Sequence, residues 1–316
     1  MTKSTRTKPR PIQVTDRDKK LLRTITDYGI VSTEHIRYLL FPSIGRARKR
    51  LRQLWQNGFL VRIERPTQLG EGTKSKLYRC TRKSAKLIGL LQSGANPSRA
   101  KGVISSTYAE HQLSINHFRV CLELAVQRTP GVALVNWIPD RGAKFKVSIS
   151  AGARQQHTVI IPDGTFTLWS GNQSFGYFLE VDLGTAPLNR IRSKLLGYLE
   201  LFRNPAEQTA KPHPRFRVLL VANSEARQNS ILNTIGALPR SERRTDIFLL
   251  TRSDRFGYEA PEAIFGPIWS TILTDRTLLH DQPLHSIFKR SRQRQVNHQC
   301  AAKQSIHGNG KLKPGR

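Results

Sequence analysis

The stretch from Ile160 to Tyr198 reads IIPDGTFTLWSGNQSFGYFLEVDLGTAPLNRIRSKLLGY. Alternating apolar and polar residues, many of them β-branched or aromatic, predict an apolar strand ending in Pro162-Asp163 and a second strand carrying Glu180-Val181-Asp182. Asn172 and the flanking glycines supply the turn, and a basic helix follows the second strand. This succession of strand, strand and helix indicates an α/β fold for this part of the chain.

Three carboxylates mark the ends of these strands. Glu180 and Asp182 are two residues apart and therefore project from the same face, and Asp163 is expected at the same sheet edge. Carboxylates that lie close together repel each other unless a cation lies between them, and Mg²⁺ or Mn²⁺ is a common solution. The alternative is that the acids pair with neighbouring arginines, and the residues alone leave both possibilities open.

The charge balance points to a polyanionic partner. The 316 residues include 52 Lys and Arg against 22 Asp and Glu, a net charge of +30. Such an imbalance implies self-repulsion in the folded state unless an anionic partner relieves it. No apolar run approaches the roughly 18 residues of a membrane-spanning helix, and the cations are spread over the whole chain. We therefore predict DNA as the partner, no membrane contact, and a cytoplasmic, nucleoid-associated location.

The cysteines add no site. Cys80, Cys121 and Cys300 are odd in number and lack any CxxC spacing, so neither a zinc site nor a disulfide framework is indicated. A reducing, intracellular setting fits this pattern.

Helix signals begin directly after a basic N-terminal arm. Thr15 and Asp18 form a capping box, and the apolar stripe that follows ends at Gly29. Ser32 begins a second helix that stops at Pro42, and Ser43 begins a third that ends at Gly58. Two short strands then follow, joined by a turn rich in glycine and lysine: Phe59–Arg65 and Lys76–Thr81. This order predicts a winged helix-turn-helix, whose third helix enters the major groove.

The third helix carries a dense group of cations. No acid lies among them, although an ordinary exposed helix would show ion pairs three or four residues apart. The predicted DNA-binding residues are Arg46, Arg48, Lys49, Arg50 and Arg52 of this helix, with Lys74 and Lys76 of the hairpin. The alternative is a helix face that is merely solvated. Arg and Lys contact both phosphates and bases, so the sequence does not separate these two kinds of contact.

The remainder predicts an α/β sandwich around a mixed sheet. A helix beginning at Ser106 precedes strands, a basic helix, a returning strand, a further helix and a last strand. The predicted ranges are Val132–Ile138, Lys144–Ile149, the two acidic strands, Ala186–Phe202, Phe216–Ala222, Asn229–Ile235 and Asp246–Thr251.

Composition shifts divide the chain. The predicted divisions are a disordered basic arm at 1–13, the winged helix-turn-helix at 14–93, a linker at 94–105, the mixed-sheet domain at 106–282 and a basic tail at 283–316.

The second domain resembles the restriction-endonuclease-like fold of the PD-(D/E)XK group. The resemblance rests on Pro162-Asp163, on Glu180-Val181-Asp182, and on Lys194 and Tyr198 of the helix that follows. It implies that Asp163, Glu180 and Asp182 hold Mg²⁺ or Mn²⁺ and that Lys194 and Tyr198 belong to the catalytic group. It also implies an upstream helical partner for the metal, His111 or His117 with Glu110.

The chain departs from this group at one position. The group has a lysine two residues after the Glu, and this chain has Asp182 there. In such nucleases the lysine orients the attacking water and offsets charge in the transition state. Lys194 stands where the exonuclease branch has a Gln, and it could restore the cation by reaching in from the helix. The alternative is an ordinary surface lysine beside Arg190 and Arg192.

Over about residues 15–270 the chain is similar to the replication-relaxation family of plasmids and other mobile elements. The resemblance implies a DNA-binding protein that acts in plasmid-type replication, DNA relaxation or transfer, with replication or relaxase proteins as partners. The alternatives are an active Mg²⁺-dependent endonuclease or exonuclease and a plain transcriptional regulator.

Overall fold

The computed structural model describes residues 11–63, 75–90, 105–151, 154–170, 173–203, 216–238 and 247–272. The chain forms two compact units, residues 1–120 and 121–316. Residues 1–10 of the predicted basic arm, residues 94–104 of the predicted linker and the whole predicted basic tail lie outside the described ranges. The predicted domain limits stay predictions.

The first unit begins with three short helices followed by a small antiparallel sheet. The sheet has the strand order β1-β3-β2, and a short helix follows it. The elements are α1 (Asp16–Tyr28), β1 (Val31–Ser32), α2 (Thr33–Leu40), α3 (Ile44–Gln56), β2 (Leu60–Ile63), β3 (Leu77–Cys80) and α4 (Arg82–Leu87). This is the succession of elements expected for a winged helix-turn-helix, with the two-residue strand β1 as an addition.

The helix limits follow from the capping residues. Thr15 and Asp18 form the predicted capping box of α1, and α1 ends at Gly29, whose φ of 73° favours glycine. Ser32 and Ser43 accept hydrogen bonds from backbone N–H groups in the first turns of α2 and α3. The apolar stripes of the three helices pack together in a core that includes Leu21, Leu22, Ile25, Ile36, Ala47, Leu51 and Leu54, all fully buried.

The long helix α5 (Ser106–Arg128) contains the boundary between the two units. Ser105, rather than the predicted Ser106, precedes it, and its Oγ accepts the Tyr108 N–H at 3.3 Å. Within the first unit, the Asn116 amide donates to the carbonyl oxygens of Tyr28 and Ile30 at 3.0 and 2.6 Å. Asn116 thus fixes the end of α1 to this helix.

The second unit contains a five-stranded mixed sheet in the order β10-β9-β8-β7-β4. The pairs β10–β9 and β9–β8 are parallel, and the pairs β8–β7 and β7–β4 are antiparallel. The elements after α5 are β4 (Val132–Pro139), β5 (Phe145–Ala151), β6 (Arg154–Ile160), β7 (Gly164–Ser170), β8 (Gln173–Asp182), α6 (Leu188–Arg203), β9 (Phe216–Ala222), α7 (Glu225–Gly236) and β10 (Phe248–Arg252). The predicted mixed-sheet α/β fold is confirmed.

One predicted strand was wrong in its extent. The apolar strand expected to end in Pro162-Asp163 ends at Ile160, and it pairs only with β5 in a separate two-stranded hairpin. Proline has no N–H to donate to a ladder, so a strand ends readily before it. Pro162 and Asp163 therefore form the connection into β7 rather than the end of a central strand.

The β5–β6 hairpin packs against α6 at a close approach. A Cβ placed on Gly197 would lie 2.9 Å from the Ile160 Cδ1 atom, so a larger residue there would require the Ile160 side chain to shift. Leu195, Tyr198 and Leu199 of α6 belong to the same hydrophobic core as Ile160 of the hairpin. This packing fixes the position of α6 relative to the acidic end of β8.

Candidate functional site

Glu180 is held between a central strand and a helix. It lies near the end of β8, which has β7 and β9 as its neighbours, and it is 8% exposed. Lys194 and Tyr198 are one turn apart on α6 and share one helix face. The Lys194 ammonium group forms an ion pair with Glu180 Oε2, and the Tyr198 hydroxyl donates to Oε1. Both carboxylate oxygens of Glu180 therefore have donors.

Asp163 is attached to the same strand by backbone hydrogen bonds on either side of Glu180. Its N–H donates to the Leu179 carbonyl at 2.9 Å, and its Oδ2 accepts the Val181 N–H at 2.7 Å. This double attachment keeps the Asp163 carboxylate in the neighbourhood of Glu180. Two of the three predicted acids are thus brought together.

Burial raises the pKa of Glu180 to about 7, because desolvation penalises the ionised carboxylate. The Lys194 ammonium acts in the opposite direction, whereas the charge of Asp163 raises this pKa further. Burial also raises the pKa of Tyr198, and the adjacent Glu180 charge adds to that effect. Tyr198 is therefore a neutral hydrogen-bond donor at physiological pH.

Asp182 is bound by an arginine. Arg227, in the first turn of α7, donates from Nε to Asp182 Oδ1 at 2.8 Å and from Nη2 to Oδ2 at 3.0 Å. The Gly184 N–H donates to Oδ1 at 2.6 Å. The pairing with arginine, one of the two possibilities left open by the sequence, is confirmed for this residue.

Arg227 was not identified from the sequence, although a signal for it exists. Strands β8 and β9 are parallel, with Asp182 in register with Ala222, and α7 begins three residues later. An arginine in the first turn of that helix is therefore within reach of Asp182. The strand Phe216–Ala222 was predicted correctly, but its register with β8, which brings Arg227 near Asp182, was not predicted.

The three carboxylates do not form the expected metal site. Within the described parts of the chain, no group of three or more His, Cys, Asp or Glu side chains is placed to hold a metal ion. Asp182 is bound to Arg227, and the oxygens of Glu180 are bound to Lys194 and Tyr198. His111, proposed as an additional ligand, lies half-buried on α5, as does His117. These residues do not fit the predicted Mg²⁺ or Mn²⁺ site.

The sequence left two alternatives for Lys194, a cation that reaches the acids from the helix and an ordinary surface lysine, and the structure places its ammonium group against Glu180. The possibility that the lysine reaches into the acidic group from the helix is the one that the geometry supports. Arg190 and Arg192, by contrast, are exposed on the same helix.

A second candidate surface lies on α3. Ala47, Leu51 and Leu54 are buried, so the opposite side of the helix faces solvent. Four of the predicted DNA-binding residues are exposed there: Arg46, Arg48, Lys49 and Arg52. Among the described residues, none of these four side chains has an acidic partner within ion-pair distance. We name this group the α3 cationic face.

Arg50 does not belong to this face, which corrects the premise that the cations of α3 have no acid to pair with. Its Nε donates to Asp18 Oδ1 at 2.6 Å, and its Nη2 contacts the Gln13 carbonyl at 3.1 Å. The Asp18 side chain is 3% exposed. A buried carboxylate needs a partner, and Arg50 joins α3 to the beginning of α1 in this role.

The hairpin contributes less to the described surface. Lys76 is exposed just before β3, whereas Lys74 lies outside the described residues. Arg62 of β2 lies over the Trp55 ring with its guanidinium carbon 4.3 Å from the ring centroid. This cation is therefore partly engaged with the protein itself.

No helix in the described part of the chain is long and apolar enough to cross a membrane.

No curated protein matches the chain. Two structures of the restriction endonuclease FokI match, one of them bound to DNA, with 13% and 12% identity and a TM-score of 0.28 in both cases. They cover 79% and 80% of this chain, which spans 44% and 45% of theirs. A TM-score this low carries no conclusion on fold or function.

A family model described as Replication-relaxation matches residues 22–215. The match covers more than half of the chain and includes α3, the acidic strand β8 and α6. The chain therefore belongs to the replication-relaxation family.

Proposed function

We propose that the protein binds DNA through the α3 cationic face and acts in the replication, relaxation or transfer of a plasmid or another mobile element. The observation that carries the proposal is the set of four exposed cations on α3 that have no acidic partner among the described residues. The family membership supports the biological setting. Replication or relaxase proteins are the proposed protein partners.

The physical basis is the release of counterions from DNA. Each phosphate that a cation neutralises frees condensed counterions, and the affinity then falls linearly with salt on logarithmic axes. Arg46 and Arg48 lie in the first half of α3, and Lys49 and Arg52 continue the exposed side. The net charge of +30 adds a long-range attraction that steers the protein toward DNA. We propose that Lys74 and Lys76 contact the DNA phosphate backbone beside the site of α3.

The test removes three charges from the face. In the variant Arg46→Ala/Lys49→Ala/Arg52→Ala, DNA affinity should fall, and the slope of log K against log salt should decrease by roughly 3 units. Fluorescence anisotropy with a labelled duplex over a series of salt concentrations measures both quantities.

A charge-matched control uses cations on other helices. Lys20, Arg23 and Lys86 are exposed on α1 and α4. The variant Lys20→Ala/Arg23→Ala/Lys86→Ala removes the same net charge and should retain most of the slope. Equal losses in the two variants would show that bulk charge rather than the α3 cationic face binds the DNA, and the proposal would fail.

The nuclease alternative is tested by the nicking of supercoiled plasmid. Because cations of the protein itself occupy the carboxylates of Glu180 and Asp182, we expect the same amount of nicked plasmid with Mg²⁺ as with EDTA. Nicking that requires Mg²⁺ in the wild-type protein and is lost in Asp163→Ala would establish the nuclease instead.

A further inference from the structure

The acidic end of β8 presents a problem of charge. Asp163, Glu180 and Asp182 belong to one short region of the second unit, and Glu180 is almost completely buried. Ionised carboxylates in such surroundings are unfavourable unless cations compensate them. A divalent ion is one source of compensation, and side-chain cations are another.

We infer that Lys194 is the built-in cation of this site and takes the place that a divalent ion would occupy beside Asp163 and Glu180. The Lys194 ammonium group contacts Glu180 Oε2 directly, and its side chain is 34% exposed, so it reaches the carboxylate from the surface of α6.

Other donors bind further oxygens of these carboxylates. Tyr198 donates to the remaining oxygen of Glu180, and the Val181 N–H occupies Asp163 Oδ2. Arg227 compensates Asp182 separately with two hydrogen bonds. Lys194 therefore compensates Glu180, which has Asp163 nearby, and Arg227 compensates Asp182.

If Lys194 is the built-in cation, its removal should create a metal site, whereas removal of an ordinary surface lysine should not. Removal of the ammonium group leaves the buried Glu180 without its cation. Glu180, the nearby Asp163 carboxylate and water are then a sufficient set for Mg²⁺ or Mn²⁺. The variant should therefore acquire a metal response, whereas we expect none in the wild-type protein. The inference does not depend on DNA binding and stands or falls separately from it.

The experiment compares thermal melts of the full-length protein in EDTA, MgCl2 and MnCl2, with KCl added to equal ionic strength. We expect the same midpoint in all three solutions for the wild type. Lys194→Met should melt lower in EDTA, and Mn²⁺ should raise its midpoint by about 3 °C at a fivefold excess over the dissociation constant. Arg192→Met, which removes an exposed cation from the same helix, is the matched control and should behave as the wild type does.

Direct measurement of binding covers the case in which Lys194→Met does not fold. Lys194→Gln keeps a polar group at the position, and titration with Mn²⁺ followed by electron paramagnetic resonance counts the bound ions. We expect one tightly bound ion in Lys194→Gln and none in the wild type. A metal shift or a bound ion at this site in the wild-type protein would overturn the inference, as would folded lysine variants that do not respond to metal.

Discussion

His35 is a buried histidine that helps to begin α2. It is 3% exposed, and its Nδ1 atom accepts the Ser32 N–H at 3.4 Å in a reciprocal capping pair. Burial, together with the smaller effect of the nearby His117 charge, lowers the pKa of His35 to about 3. Protonation of Nδ1 would also remove the acceptor that this cap requires. His35 is therefore neutral in the folded protein.

The first unit should consequently lose stability in mild acid. Between about pH 3 and pH 6.5 the unfolded chain binds a proton at His35 and the folded chain does not. The stabilisation that neutral His35 gives the folded state is thus complete above pH 6.5 and is lost as the pH falls. The free energy of unfolding should decrease by about 2 kcal/mol from pH 8 to pH 5 through this group. Urea denaturation at each pH measures this change.

Two variants separate titration from capping. Gln is accepted at this position of a capping box, so His35→Gln should retain the helix start and lose much of the acid sensitivity. Ser32→Ala removes the cap without removing the titrating group, and it should lower stability by a similar amount at both pH values. An unchanged pH dependence in His35→Gln would show that other groups cause the acid sensitivity.

Two ion pairs between residues far apart in the sequence were not predicted. A helical charge pattern compares residues three or four positions apart, and by that measure Arg50 has no partner. Its partner, Asp18, is 32 positions away and was visible only as a member of a capping box. Similarly, Asp182 binds Arg227, which is 45 positions away. Long-range ion pairs depend on packing, so the sequence did not reveal Arg50 or Arg227 as partners of these acids, although it did offer Lys194 as a cation that could reach Glu180 from α6.

At the scale of elements, local signals were sufficient for the helices. The predicted starts at Thr15, Ser32 and Ser43 are the observed N-caps, because a side-chain oxygen there satisfies a free backbone N–H. The strand Phe216–Ala222 was also predicted to the residue, since a run of apolar residues is typical of a strand buried on both faces.

Strands with weak local signals were missed or given the wrong extent. β1 was missed, because it has two residues and exists only through its pairing with β3. β6 was predicted with the wrong limits: it contains Arg154, Gln155, Gln156 and His157, which give a weak apolar pattern, and it is held by β5 and by packing on α6. Strand formation depends on the partner strand more than on intrinsic preference, so the limits of such elements are poorly visible in sequence. The wrong end of β6 placed Asp163 at a strand end instead of in a connection.

The net charge of +30 affects both the stability of the whole protein and its binding of DNA. Like charges repel over distances of roughly 10 Å at 0.1 M salt and over about 30 Å at 0.01 M. This repulsion opposes the compact state, and the same charge favours a polyanion. Salt should therefore act on folding and on DNA binding in opposite directions.

We expect the melting midpoint of the free protein to rise when NaCl increases from about 50 to 200 mM, because screening weakens self-repulsion. Over the same range DNA affinity should fall about 100-fold if the four residues of the α3 cationic face each neutralise one phosphate. Thermal melts and anisotropy titrations in the same buffers measure the two effects. The variant Arg46→Ala/Lys49→Ala/Arg52→Ala should show a smaller change in both. A midpoint that falls with salt would mean that ion pairs such as Asp18–Arg50, Glu180–Lys194 and Asp182–Arg227 outweigh the repulsion among the remaining cations.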